Sequence, residues 1–174
     1  MKSTCTRSLR NLGAVVSLVL AFAMSTTAMA DLITLSIPGV TGDVTVEGQA
    51  GTIEVLSLSG NVQETASTSL PVFSDLSITK RLDRSSPALF LALVKGQFFS
   101  SAVINFLHES GDGFTKTFKI ALTNVSVTKF GPAASENNVI ASTEQISLKY
   151  QKIQLKDVLS GQTACWNIPS ATSC

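Results

Sequence analysis

The chain has 174 residues, of which 44% are hydrophobic and 14% charged, with 13 Lys and Arg against 12 Asp and Glu, one His and three Cys. That length suits a single domain with a real core, and a near-neutral balance excludes the basic face of a nucleic-acid binder. One His also leaves little room for a nucleophile–His–acid set or a zinc site.

The first thirty residues read as a secretory signal. Lys2, Arg7 and Arg10 form a basic start, Ala14 to Met24 is a short apolar run, and Ala28-Met29-Ala30 supplies the small-x-small cleavage pattern. Cleavage between Ala30 and Asp31 is expected; an uncleaved N-terminal anchor is the alternative. The apolar run is too short for a comfortable bilayer span, and no second one follows. The expected organisation is therefore signal peptide 1–30, barrel domain 31–160 and tail 161–174, with secretion or residence in the periplasm. Loss of three basic residues leaves 10 against 12 acidic, a net charge of −2.

"DLITLSI" and "GTIEVLSLSG" read as strands, with "VTGDVTVEG" between them. "GNVQETASTSLPVF" (60–73) has no period and reads as a long exposed loop. "DLSITKRL" is a further strand, running into Lys80-Arg81-Leu82-Asp83-Arg84. This run reads as a solvated strand end with internal ion pairs; the sharper alternative is a contact between subunits.

A short helix follows. Ser85 or Ser86 can cap it, Pro87 suits its first turn, and Lys95-Gly96 can end it. Ala88 to Val94 is apolar nearly all round, which predicts a helix buried on most sides, as a plug for one end of a barrel.

"FFSSAVINFLHES" and "FTKTFKIALTN" flank Gly111-Asp112-Gly113 and predict a hairpin, with Phe114, Phe118, Ile120 and Leu122 on one face. "VSVTKFG" continues beyond Asn124, and "GPAASENN" (131–138) reads as a second loop. In "EQISLKYQKIQL" the apolar phase slips at Gln151-Lys152, the signature of a β-bulge. Five to seven strands with one helix predict a mainly β fold, a small closed or nearly closed β-barrel with one short α-helix.

Chemistry is scarce. His108 continues the Ala102, Ile104, Phe106 face and reads as a structural histidine. No catalytic set, cofactor site or metal site is expected, and "GVTGDVTVEGQAG" lacks the GK[ST] of a phosphate loop. Cleavage leaves Cys165 and Cys174, which an oxidising compartment allows to pair; two free thiols is the alternative.

"FSDLSITKRLDRSSPALFLALVKGQFFSSAVINF" resembles the signature of the Hcp (haemolysin-coregulated protein) family, the tube-forming protein of bacterial type VI secretion systems. "LSIPGVTGDV", "LTNVSVTKF" and "EQISLKYQKIQLKD" extend the resemblance over about residues 32 to 157. It implies a non-enzymatic protein that self-assembles into hexameric rings, which stack and carry effectors, with spike, sheath and effector proteins as partners. It also implies subunit contacts at the 60–73 segment, with Val62, Gln63, Glu64, Thr65, Ser67 and Thr68 as candidates beside Arg81 and Arg84. The signal departs from that family, whose members leave through the secretion machine without one. The alternative is an exported binding module, monomeric or oligomeric, that keeps the barrel and has left the tube role.

Overall fold

The computed structural model describes residues 31–64, 70–111, 113–133 and 142–174. Residues 1–30, where the signal and Ala30 of its cleavage site are expected, lie outside them. Among the described residues there are eleven strands and one helix. The strands are β1 (Leu32–Ser36), β2 (Ile53–Ser59), β3 (Val62–Glu64), β4 (Pro71–Phe73), β5 (Leu76–Arg81), β6 (Phe98–Ser110), β7 (Gly113–Ala133), β8 (Thr143–Lys149), β9 (Lys152–Asp157), β10 (Thr163–Asn167) and β11 (Thr172–Ser173). The helix α1 spans Ser86–Val94.

Six strands pair in a ring, β7-β6-β1-β2-β5-β8, and β8 returns to the C-terminal half of β7. The expected barrel, closed or nearly so, is the fold. Period-2 alternation drives the closure: Leu35, Ile53, Ile78, Ile104, Leu122, Ile146 and Leu148 are all buried and meet in one core. β7 makes the ring possible by its length. Its first half pairs with β9 (Phe118↔Asp157 to Thr123↔Lys152), its second half with β8 (Ser126↔Lys149 to Ala133↔Thr143).

Between those halves Asn124 adopts φ 53°. The buried set shifts there from Ile120 and Leu122 to Val125 and Val127. On the facing chain it shifts from Tyr150 to the half-buried Ile153. The expected bulge at Gln151-Lys152 is thus a break between β8 and β9, matched by Asn124 opposite, so pairing resumes across it.

The predicted hairpin forms as β6 and β7. A register shift between Phe106 and Leu107 leaves Thr117 of β7 as the extra, unpaired residue. Leu107 is buried, and the His108 side chain, expected to follow the Phe106 face inward, shares a cleft with Phe106 at the rim of the ring and is 51% exposed.

α1 differs from expectation in its surroundings. It buries Ser86, Leu89 and Ala92 against the barrel, chiefly along β7, and Phe90 meets the ring of Phe130 edge-on. Phe90, Leu91 and Val94 remain exposed at 48%, 46% and 60%. One face is covered and the other is not, so the helix buried on most sides is not what forms. Its C-terminus closes as sequence suggests: Gly96 at φ 61° lets its own N–H donate to the Leu93 carbonyl and the Gln97 N–H to the Ala92 carbonyl. Its N-terminus does not, because Ser85 makes no side-chain cap.

The 41–52 segment forms turns, not a strand, and covers the outer face of β1. Gln49 Oε1 accepts from Thr34 Oγ1 (2.9 Å) and Asn105 Nδ2 (3.2 Å), burying all three polar side chains in satisfied contacts. The last residues add β10 and β11 to the sheet edge beyond β9. Cys165 and Cys174 are joined by a disulfide across that small hairpin, beside the Trp166↔Ser173 pair.

Candidate functional site and interaction surfaces

The run after β5 holds the densest polar structure in the chain. Lys80 is fully buried, contrary to the solvated strand end expected of it. Its ammonium donates to Glu144 Oε1 (2.7 Å), Asp83 Oδ1 (2.8 Å), the Arg81 carbonyl (2.7 Å) and Ser86 Oγ (3.3 Å). Ser86 Oγ donates in turn to Glu144 Oε1 (3.0 Å) and accepts from the Asp83 N–H (3.1 Å). Asp83 Oδ1 also takes the Ser85 N–H at 2.8 Å and the Ser85 hydroxyl. Glu144 is fully buried, and its Oε2 has no hydrogen-bond partner.

This cluster ties β5, β8 and the start of α1 together. Single buried charges are expensive, so the pair persists only because each supplies the other's counter-charge. A sequence signal for it existed. Lys80 keeps the period of Leu76 and Ile78, and Glu144 that of Ile146 and Leu148, so both belong to the inward face.

Arg81 and Arg84 do reach the surface, with side chains 52% and 65% exposed. Within the chain they meet acids: Arg81 lies 3.7 Å from Glu54, and Arg84 pairs with Asp43. Exposed pairs of this kind contribute roughly 0–1 kcal/mol, so these guanidinium groups are cheap to redirect toward another subunit.

The 60–73 segment is not a bare loop. Val62 pairs with Phe73 and Glu64 with Pro71, so a two-stranded ribbon of β3 and β4 stands beyond the β2–β5 pair. Val62, Gln63 and Glu64 are exposed, as are Leu70 and Val72; Thr65, Ser67 and Thr68 lie outside the described residues. The ribbon leaves from the Leu76 end of β5, whereas Arg81 closes the other end, about 17 Å away at the usual strand rise. The candidate contact residues therefore occupy opposite ends of the barrel and do not form one patch.

Two further surfaces went unforeseen. Phe90, Leu91 and Val94 join Phe98, 64% exposed, as an apolar set at α1 and the start of β6. A cleft of about 300 Å³ opens between Val62, Pro71 and Phe73 of the ribbon and Ile153, Leu155 and Trp166 of β9 and β10. Apolar residues of a helix and of strands read as residues to be buried, and nothing local marks which of them the fold leaves at the surface, which hid both from a sequence reading.

Ionisable chemistry is limited. Burial pushes the Tyr150 hydroxyl above its ordinary value, aided by the negative charge of Asp75. The backbone and hydroxyl of Ser160, followed by the Leu159 N–H, hold the Asp157 carboxyl below its ordinary range. His108 Nδ1 lies 2.8 Å from Asp31 Oδ1. Among the described residues no three His, Cys, Asp or Glu side chains cluster to hold a metal ion, and no helix is long and apolar enough to cross a membrane.

Residues 34–156 match the family described as "Type VI secretion system effector, Hcp". Among solved structures, the chain is similar to Hcp1 from Salmonella typhimurium at 24% identity and TM-score 0.74, over 83% of this chain and 100% of that one. Hcp2 from the same organism shares 25% identity at TM-score 0.65, over 80% and 97%. Hcp1 from E. coli EAEC 042 shares 24% at TM-score 0.70, over 79% and 98%. No curated protein matches the sequence significantly.

Proposed function

Because the chain belongs to the Hcp family of type VI secretion proteins, and so is a structural secretion component, we propose that its mature domain assembles into hexameric rings that stack into a tube. The carrying observation is the exposed apolar set Phe90, Leu91, Val94 and Phe98. Side chains that large and uncovered mark a surface that another protein buries. A second copy of the same chain supplies the cover when the contact is heterologous and closes on itself.

Stacking has its own support. The ribbon and the Arg81–Arg84 segment sit at opposite barrel ends, as end-to-end contact between successive rings requires. Effectors are cargo in the ring lumen, and spike and sheath proteins are the partners. The protein acts without catalysis. Its signal is removed between Ala30 and Asp31, and the domain is secreted or periplasmic.

Light scattering on the mature chain tests the ring. Leu91→Asp adds six charges to a six-membered ring at an already exposed position, so it is expected to give folded monomers where the parent gives hexamers. A strictly monomeric parent at high micromolar concentration refutes the ring. Removing about six residues around Glu64 to Ser69 should leave rings but abolish their stacking; unaltered stacking excludes the ribbon. The apolar cleft beside Trp166 favours a second reading, an exported binding module on the same barrel. Monomers that retain a periplasmic partner through Trp166 would establish it.

A further inference from the structure

Asp31 precedes β1, whose register against β6 pairs Leu32 with Leu107 and Ile33 with Phe106. Continuing that register sets Asp31 opposite His108, at a separation of about 4.5–5.5 Å between Cα atoms. At the rim of the ring, His108 Nδ1 lies 2.8 Å from Asp31 Oδ1. Both side chains are accessible, at 51% for His108 and 77% for Asp31. They stand at the rim of a cleft of about 280 Å³ floored by Ile33, Phe106 and Thr117.

We propose that removal of the signal completes a metal site here. The α-amino group freed on Asp31, the Asp31 carboxylate and the His108 imidazole together bind one divalent transition-metal ion, with Cu²⁺ the best fit. This rests on the cleavage position given above. Before cleavage the Asp31 nitrogen is a peptide amide, a poor donor, and only two side-chain donors are present. Afterwards the amine and carboxylate of one residue can close a six-membered chelate, and the register of β1 against β6 holds the imidazole within reach.

The donor set selects the metal. Two nitrogens and one carboxylate oxygen are too few hard ligands for Ca²⁺ or Mg²⁺, which want six or more oxygens or an octahedral shell with waters. Imidazole and amine suit Cu²⁺, Ni²⁺ and Zn²⁺, and Cu²⁺ binds tightest in the divalent series. Water completes the coordination, since the pair faces solvent. The site is therefore a product of processing: an exported chain acquires it, and a precursor lacks it.

The experiment compares three chains by Cu²⁺ titration and electron paramagnetic resonance. One begins at Asp31, released without scar from a fusion; the second begins at Ser25; the third begins at Asp31 and carries His108→Ala. The first is expected to bind one Cu²⁺ with nitrogen hyperfine structure from two donors. The other two should bind at least about tenfold more weakly, as loss of a ligand costs no less than loss of its supporting contacts. Circular dichroism verifies that the exposed His108→Ala change leaves the fold intact. Equal binding by all three chains, or none by the first, overturns the site. The mass of the exported protein's amino terminus separately judges the processing: a start other than Asp31 refutes the cleavage reading, while the titration still decides whether the donor set binds.

Discussion

Lys80→Met is the most informative single perturbation of this fold. Methionine keeps most of the length and apolar volume of the side chain but removes its charge and the three N–H groups that serve its four acceptors. Glu144 Oε1 then keeps only Ser86, Oε2 still has no partner, and a carboxylate is left sealed at 0% exposure. Breaking a buried pair from one side costs about 3–5 kcal/mol, since the survivor keeps its desolvation penalty without its counter-charge. For a domain of this size each kcal/mol moves Tm by roughly 3–4 °C, so a fall of about 10–20 °C is expected. Thermal melts by circular dichroism at low protein concentration report it, with Glu144→Leu and the double variant Lys80→Met/Glu144→Leu as companions. The double variant should regain at least half of the single loss, because an apolar pair needs no counter-charge. A single variant within about 3 °C of the parent, or a double variant no better than the sum of the singles, refutes the buried cluster as the tie between β5, β8 and α1.

Gly42→Ala should lose about 1–3 kcal/mol or more, because its new Cβ would lie 2.3 Å from the Thr52 carbonyl oxygen and 2.7 Å from the Ile53 Cα, both backbone and unable to yield; a melt equal to the parent would show that the 41–52 segment can lift away. Thiol labelling of the denatured, unreduced mature chain from the periplasm should find no free cysteine. Cys174→Ser should cost roughly 2.5–3 kcal/mol by loop closure, and two labelled thiols per chain would exclude the bridge. Tyr150, whose folded hydroxyl titrates above its unfolded value, contributes stability below about pH 10 that is lost as pH rises through the folded value. Urea melts from pH 9 to 11 should show that decline in the parent and lack it in Tyr150→Phe; equal slopes would count against Tyr150 as its source.

Local pattern determined much of this protein. The alternation of Phe114 to Leu122, the turn residues at Gly111 and Gly113, and the stop at Lys95-Gly96 depend on neighbours within a few positions, and the hairpin and the helix end where they predict. The family was legible for the same reason, since its signature is a run of adjacent elements. What only tertiary structure decided involves partners far apart in the chain. Lys80 reads as a surface charge until Glu144, 64 residues on, arrives beside it on the inner face of β8. His108 reads as a buried histidine until the fold places it at the open rim of the ring, 51% exposed, where Asp31, 77 residues away, becomes its neighbour. The helix is the sharpest case: apolar composition says that it wants cover, but the barrel buries Ser86, Leu89 and Ala92 and only half-covers Ala88 and Leu93. Composition measures the demand for burial, and the contacts of one folded chain set how much of it is met. The remainder, Phe90, Leu91, Val94 and Phe98, is left at the surface for another molecule.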